Sequence, residues 1–206
     1  MYDVYTGFKW IANVMRENEG KKNYIGGGEE SYGFLCEDFV RDKDAVSACV
    51  ILAEIAAWAK DQGLSLYQLL QKIYVEYGFS KEKGISVVKK GKSGAEEIEA
   101  MMKKFRENPL TEIAGSKVTY FYDYSTLKGK DYAENETVTL DMPTTSNVLQ
   151  YFTEDNTKVS IRPSGTEPKI KFYCEVHSKV KSIDELPEAE KAAEEKINQI
   201  KASLGI

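Results

Sequence analysis

Hydrophobic positions crowd the stretch from Ala45 to Ala59 almost without a polar break. That pattern predicts a helix that is apolar nearly all round and buried on more than one side. Asp42 or Asp44 can cap its start, and Gly63 marks its stop after about Gln62. Ser65-Leu66-Tyr67-Gln68 then reads as a capping box. Behind it, Leu66, Leu69, Leu70, Ile73, Tyr74 and Tyr77 recur at helical spacing until Gly78. A short strand is expected over Ile85 to Val88. Lys89-Lys90-Gly91-Lys92-Ser93-Gly94 has no apolar residue and reads as a solvated linker. The domain boundary is therefore placed there, giving residues 1–90 and 91–206.

Beyond the linker, Ser93-Gly94-Ala95-Glu96 forms another capping-box pattern. Ile98, Met101, Met102 and Phe105 line one face of the helix it opens, and Pro109 marks the exit. Alternating apolar positions then predict strands over Val118–Tyr124, Thr137–Asp141, Val148–Phe152, Lys158–Arg162 and Lys169–Val176. Asp155-Asn156 suits a hairpin turn between two of them. A last helix is expected from about Glu188 to Leu204, with Ile197, Ile200 and Leu204 inward. Helix, several strands, then helix describes an α+β domain: an antiparallel sheet with helices on one face. In the last strand Ile170, Phe172, Cys174 and Val176 fall toward the helices, and Lys169, Lys171, Tyr173, Glu175 and His177 fall on the other face.

Composition narrows the partners. The chain has 206 residues, 42% hydrophobic and 30% charged, as in ordinary globular proteins. A net charge of -5 with no basic stripe argues against nucleic acid. No apolar run reaches membrane-spanning length, and no signal peptide pattern opens the chain. Cys36, Cys49 and Cys174 are widely spaced, which fits reduced, small buried residues in a cytoplasmic setting.

Two stretches carry candidate chemistry. In Arg162-Pro163-Ser164-Gly165-Thr166-Glu167-Pro168, a strand delivers an arginine into a loop of two hydroxyls and a glycine. Arg162 offers a planar fork of donors, Ser164 and Thr166 add hydroxyls, and Gly165 lets backbone N–H groups face an anion. A phosphate group suits that set, and Lys171 shares a sheet face with the loop's rim. The alternative is a Pro/Gly hairpin turn with a solvated arginine. In Gly26-Gly27-Gly28-Glu29-Glu30-Ser31-Tyr32-Gly33, a carboxylate on a glycine loop can accept hydrogen bonds from neighbouring sugar hydroxyls. The alternative is a flexible loop with two solvated glutamates. Gly91-Lys92-Ser93 is no Walker A end, because the pattern's first glycine would be Ser86.

Taken in order, these stretches resemble the α-D-phosphohexomutases, the phosphoglucomutase/phosphomannomutase family. The resemblance also rests on Thr6-Gly7-Phe8-Lys9-Trp10-Ile11, Arg41-Asp42-Lys43-Asp44 and Ile170-Lys171-Phe172-Tyr173. It implies the end of an α/β domain three followed by an α+β domain four. It implies a sugar-binding loop with Gly28, Glu29 and Ser31, and a phosphate-binding loop with Arg162, Ser164, Gly165 and Thr166, assisted by Lys171. Lys9 and Lys43 either approach the substrate from domain three or serve a helix surface. The family's phosphoserine loop, of Thr-Ala-Ser-His-Asn-Pro type, and its Asp-Gly-Asp-Gly-Asp-Arg metal loop have no counterpart here, and the only histidine is His177. The chain is thus expected to hold substrate without turning it over, its Mg2+ and serine belonging to the N-terminal domains of the same protein. The implied reaction interconverts hexose 1-phosphate and hexose 6-phosphate through a hexose 1,6-bisphosphate, with glucose ahead of mannose. The other classes left open are a stand-alone phosphosugar-binding module and a non-catalytic interaction fragment.

Overall fold

A computed structural model describes residues 1–89, 91–165 and 167–206, with Lys92 by its backbone alone. The chain forms two compact units, Met1–Leu70 and Gln71–Ile206.

The first unit opens with α1, Phe8–Asn18, then a minimal hairpin of β1, Gly27–Gly28, and β2, Phe34–Leu35, and then α2, Ala45–Asp61. Its buried cluster is Phe8, Met15 and Leu35, with Ile11, Tyr24 and Val40 packed against it. Phe8, Ile11 and Met15 stand at i, i+3 and i+7, so α1 turns one apolar face to the hairpin. Asp44 caps α2 as expected, its carboxylate accepting from the N–H groups of Val46 and Ser47 at 3.1 and 3.3 Å. The burial expected for α2 is not found. Only Ala59 is buried, and Val46, Val50, Leu52, Ile55 and Trp58 are exposed. The reason is the lack of a layer to cover them: among the described residues the only strands of this unit are two residues long.

The division between the units falls within α3, Leu66–Tyr77, whose capping box forms: Gln68 N–H donates to Ser65 Oγ at 3.2 Å, and Ser65 N–H donates to Gln68 Oε1 at 2.9 Å. The second unit continues through β3 (Phe79–Val88), α4 (Gly91–Glu107), β4 (Glu112–Ile113), β5 (Ser116–Asp123), β6 (Lys128–Asp131), β7 (Glu136–Thr139), β8 (Leu149–Thr153), β9 (Lys158–Pro163), β10 (Lys169–Ser178) and α5 (Leu186–Leu204). The main sheet has the order β3-β10-β9-β8-β5-β6-β7, with β4 on β5, and every pairing is antiparallel. Burial alternates along β10 as the sequence pattern requires. Ile170, Phe172, Cys174 and Val176 are buried in one core with Ile98, Met102 and Phe105 of α4 and Ala193, Ile197, Ile200 and Leu204 of α5. Tyr151 joins that core and donates its hydroxyl to Phe105 O at 3.0 Å, tying the end of α4 to the sheet.

Three details differ from the sequence reading. The strand expected at Ile85–Val88 begins at Phe79 and pairs with β10 along its whole length, so it belongs to the second unit's sheet. The stretch read as a linker is largely helix: α4 starts at Gly91, ahead of the capping box expected at Ser93. Gly94 lies so close to Lys89 that a Cβ there would stand 2.4 Å from the Lys89 carbonyl oxygen. Lys90 lies outside the described residues. Of the cysteines, all free, Cys174 is buried and burial pushes its thiol up to about 11, but Cys49 is exposed.

Candidate functional site

The glycine loop of the first unit is the turn of the β1–β2 hairpin. Gly28 pairs with Phe34 and Gly27 with Leu35, leaving residues 29–33 at the tip. Glu29 N–H donates to Gly33 O at 2.9 Å and closes the turn. The Glu29 side chain reaches further, to the start of α1, where its Oε1 accepts from the Gly7 N–H at 2.6 Å. Gly7 is the N-cap of α1, so the negative charge sits at the positive end of a helix. Gly33 is needed for space. A Cβ there would stand 2.8 Å from Phe8 Cε2, 3.2 Å from Lys43 Cδ and 3.3 Å from Glu29 Oε2. The missing side chain lets Glu29, Lys43 and Phe8 converge on one spot.

Lys43 places its ammonium 5.4 Å from the centre of the Phe8 ring and 3.0 Å from Asp42 Oδ1. Lys9, on the first turn of α1, lies 4.8 Å over the Trp10 ring. Ser31 is exposed, and Tyr32, at φ 71, is fully exposed at the tip. The structure therefore brings Glu29, Gly28 and Lys43 together and leaves Ser31 at the open end. What the sequence did not disclose is the role of Gly7. Its backbone N–H, not a side chain, orients Glu29.

The second loop joins β9 to β10 at one end of the main sheet. Arg162 and Lys171 are direct cross-strand partners, so both side chains stand on the same face, away from the helical core. Ser86 of β3 is the next residue in that row, opposite Lys171. Ser164 N–H donates to Lys169 O at 2.8 Å, Lys169 N–H to Glu167 O at 2.7 Å, and Lys89 N–H to Pro168 O at 2.9 Å. The loop is thereby fastened to both of its strands and to the end of β3. Gly165 is exposed, its φ is not left-handed, and a Cβ there would touch nothing. Its contribution is an open flank. Thr166 lies outside the described residues.

Charge in this loop is unevenly committed. Lys169 pairs with Glu167, whose carboxyl it holds below its ordinary range by a hydrogen bond and by charge, with Lys171 adding to the effect. Among the described residues Arg162 and Lys171 enter no ion pair, and Lys171 lies 5.9 Å from the Tyr173 ring centre. Both side chains are half-buried, and like charges on neighbouring positions of one face repel each other. His177, at the far end of β10, is exposed and 4.0 Å from Glu175.

The same chain offers no metal cage: among the described residues no three His, Cys, Asp or Glu side chains converge on a point. Asp42 is engaged with Lys43, and Asp44 with the start of α2. The described residues offer no set of donors that fits a divalent cation. No helix among the described residues is long and apolar enough to cross a membrane.

Comparison with known proteins bears on both loops. Residues 1–77 match the family described as "Phosphoglucomutase/phosphomannomutase, alpha/beta/alpha domain III". Residues 85–193 match "Phosphoglucomutase/phosphomannomutase, C-terminal domain". The chain belongs to the phosphoglucomutase/phosphomannomutase family. It is 38% identical over 175 residues to a phosphoglucomutase of Staphylococcus haemolyticus, covering 85% of this chain and 32% of that protein. It is 40% identical over 171 residues to a phosphoglucomutase of Staphylococcus aureus, covering 83% of this chain and 31% of the relative. The chain thus spans about a third of these relatives' length. The crystal structure of the Paramecium exocytosis-sensitive phosphoprotein pp63/parafusin, in its open form, shares the fold. It superposes with a TM-score of 0.53 at 19% identity, over 86% of this chain and 29% of that one. In phosphoglucomutase/phosphomannomutase terms, the glycine hairpin lies in the domain III match and the Arg162 loop in the C-terminal domain match.

Proposed function

We propose that this chain is the substrate-gripping part of a phosphohexomutase, one that interconverts hexose 1-phosphate and hexose 6-phosphate, with glucose preferred and mannose next. Arg162, Ser164, Gly165, Thr166 and Lys171 hold the phosphate that is not being transferred. Glu29 and Ser31 accept and donate to ring hydroxyls, with Gly28 shaping their loop and Lys43 and Lys9 bordering it. Holding a distal phosphate turns remote binding energy into orientation of the reacting oxygen. The acceptor serine and the Mg2+ of the reaction are assigned to polypeptide outside this chain, as is the cycling of a hexose 1,6-bisphosphate. The setting is cytoplasmic.

The observation that carries the proposal is the Arg162–Lys171 pair. Two cations are cross-strand partners on adjacent strands and, among the described residues, enter no ion pair, beside a loop whose own lysine is paired with Glu167. The experiment is an NMR titration of the chain with glucose 1-phosphate. Shifts are expected over residues 162–171, weaker for unphosphorylated glucose, and fading as salt rises because the contact is partly exposed. Arg162→Ala removes the two-pronged contact and abolishes the shifts. A chain whose 162–171 signals stay still at millimolar ligand does not hold phosphate there.

A further inference from the structure

Acidic side chains close to the Arg162–Lys171 pair are held by other lysines. Glu175, on the same face of β10 as Lys171, pairs with Lys158 at 3.0 Å. Glu97 of α4 pairs at 3.0 Å with Lys89, whose N–H fastens the end of β3 to the loop. Glu167 is the acidic residue of the loop itself, since residues 163–170 hold no other, and it pairs with Lys169. Lys169 also ties the loop's backbone: its N–H donates to Glu167 O at 2.7 Å, and its carbonyl accepts from the Ser164 N–H at 2.8 Å. The Glu167 side chain is 59% exposed, so this ion pair contributes little to stability. Its consequence is where it keeps the carboxylate.

We propose that Lys169 is a positioning residue of the phosphate loop: its ammonium holds the Glu167 carboxylate away from Arg162 and Lys171 and so keeps those two cations open to a phosphate. The geometry gives the carboxylate somewhere else to go. Lys171 follows Lys169 by two positions, on the same face of β10, and Arg162 is its cross-strand partner. Among the described residues neither enters an ion pair. The Glu167 carboxyl lies below its ordinary range mainly through the hydrogen bond and charge of Lys169, but Lys171 adds to the effect, so the next cation already reaches it. A guanidinium fork takes a carboxylate as readily as a phosphate. Glu167 released from Lys169 is therefore an internal competitor for the phosphate, tethered within the same loop. The inference rests on the phosphate-binding reading of the loop, but the whereabouts of the carboxylate can be read without any ligand.

The test is a set of variants of the 206-residue chain, titrated by NMR with glucose 1-phosphate at constant pH and ionic strength. Lys169→Met is expected to weaken binding by about tenfold, because the freed carboxylate must be displaced from the cations. Adding Glu167→Gln removes the competitor and should bring affinity back to within about twofold of the parent chain. Lys169→Arg, which keeps a cation facing Glu167, should bind like the parent. Without ligand, the Arg162 Nε–H resonance should move in Lys169→Met, and the double variant should return it. A double variant as weak as Lys169→Met overturns the proposal, because Lys169 would then act on the phosphate by its own charge. Equal weakness in Lys169→Arg overturns it as well, assigning the effect to the shape of the loop. An Arg162 resonance that stays still in ligand-free Lys169→Met shows that the carboxylate does not move to the cations, and sinks the proposal by itself. A parent chain that ignores glucose 1-phosphate, while Arg162 still responds to Lys169→Met, sinks the phosphate reading and not the hold of Lys169 on Glu167.

Discussion

Asp123 is a heavily used carboxylate of the second unit. Oδ2 accepts from Arg106 Nε at 2.9 Å, and Oδ1 accepts from the N–H and hydroxyl of Ser125 at 3.0 and 2.7 Å. Its side chain is 9% exposed and that of Arg106 30%. Removing the acid strands a guanidinium that, among the described residues, keeps Asn147 Oδ1 at 2.8 Å. Asp123→Ala should therefore destabilise the chain by about 2–3 kcal/mol, the lower side of the range for a broken buried pair because Arg106 is still partly in water. Urea unfolding at neutral pH measures it, and Arg106→Met in the same background should recover part of the loss by removing the stranded charge. Single residues of this kind were only partly legible in the sequence. Arg162 and Glu29 stand out because unusual loops surround them. Asp123 sits in the run Tyr120-Phe121-Tyr122-Asp123-Tyr124, where alternation says only that it shares a face with Phe121. Its partner Arg106 lies on another element, and no local spacing couples the two.

At the scale of elements, the β8–β9 hairpin shows how a turn is used twice. Thr153 N–H donates to Thr157 O at 3.0 Å, and Asn156 takes φ 61, so Asp155-Asn156 closes the hairpin as its composition predicts. Asp155 also meets Lys196 of α5 in an ion pair that joins the turn to the last helix. Burial raises the Asp155 carboxyl, but hydrogen bonds from Lys196, Thr153 and Thr157 outweigh it and hold the group well below its ordinary value. The folded chain therefore binds this proton less readily than the unfolded one. The stabilisation is complete above the unfolded carboxyl value of about 4 and is lost as pH falls through the folded value. Asp155→Asn should lower the urea midpoint at pH 7, and the gap from the parent chain should narrow steadily below about pH 4. A gap that stays constant with pH would assign the effect to packing. Long elements with strong patterns, β5, β8, β9, β10 and α5, were readable because alternation or helical spacing repeats several times in each. β6 was not. Lys128-Gly129-Lys130-Asp131 has no apolar alternation, and its strand exists because β5 and β7 pair with it and Tyr122 lies against Gly129. A Cβ at Gly129 would stand 2.4 Å from Tyr122 Cδ1, a requirement no sequence window contains.

Across the whole chain, the two units differ in what holds them. The second has a continuous core running from Phe79 through the sheet residues Leu149, Tyr151, Val159, Ile161, Ile170 and Phe172 to Leu204. The first has Phe8, Met15 and Leu35, three supporting residues, and an α2 whose apolar rows face solvent. Hydrophobic stabilisation follows the apolar area removed from water, so the two units should open with different free energies. The pattern of α2 announced a buried helix, and that expectation failed for a reason outside local sequence: periodicity reports what a segment is suited to contact, not whether the contact is present. Native-state hydrogen exchange by mass spectrometry resolves the consequence. Amides of α1, the β1–β2 hairpin and α2 should exchange at low denaturant through openings that leave β8, β9 and β10 protected, and the strands should exchange only near global unfolding. Urea unfolding followed by Trp10 and Trp58 emission, both in the first unit, should then fall at lower urea than the far-ultraviolet circular dichroism of the whole chain. Coincident transitions would mean that the small cluster around Phe8 unfolds as one cooperative body with the large sheet. The three-residue cluster would then have to be as stable as a core many times its size, which its buried area does not support.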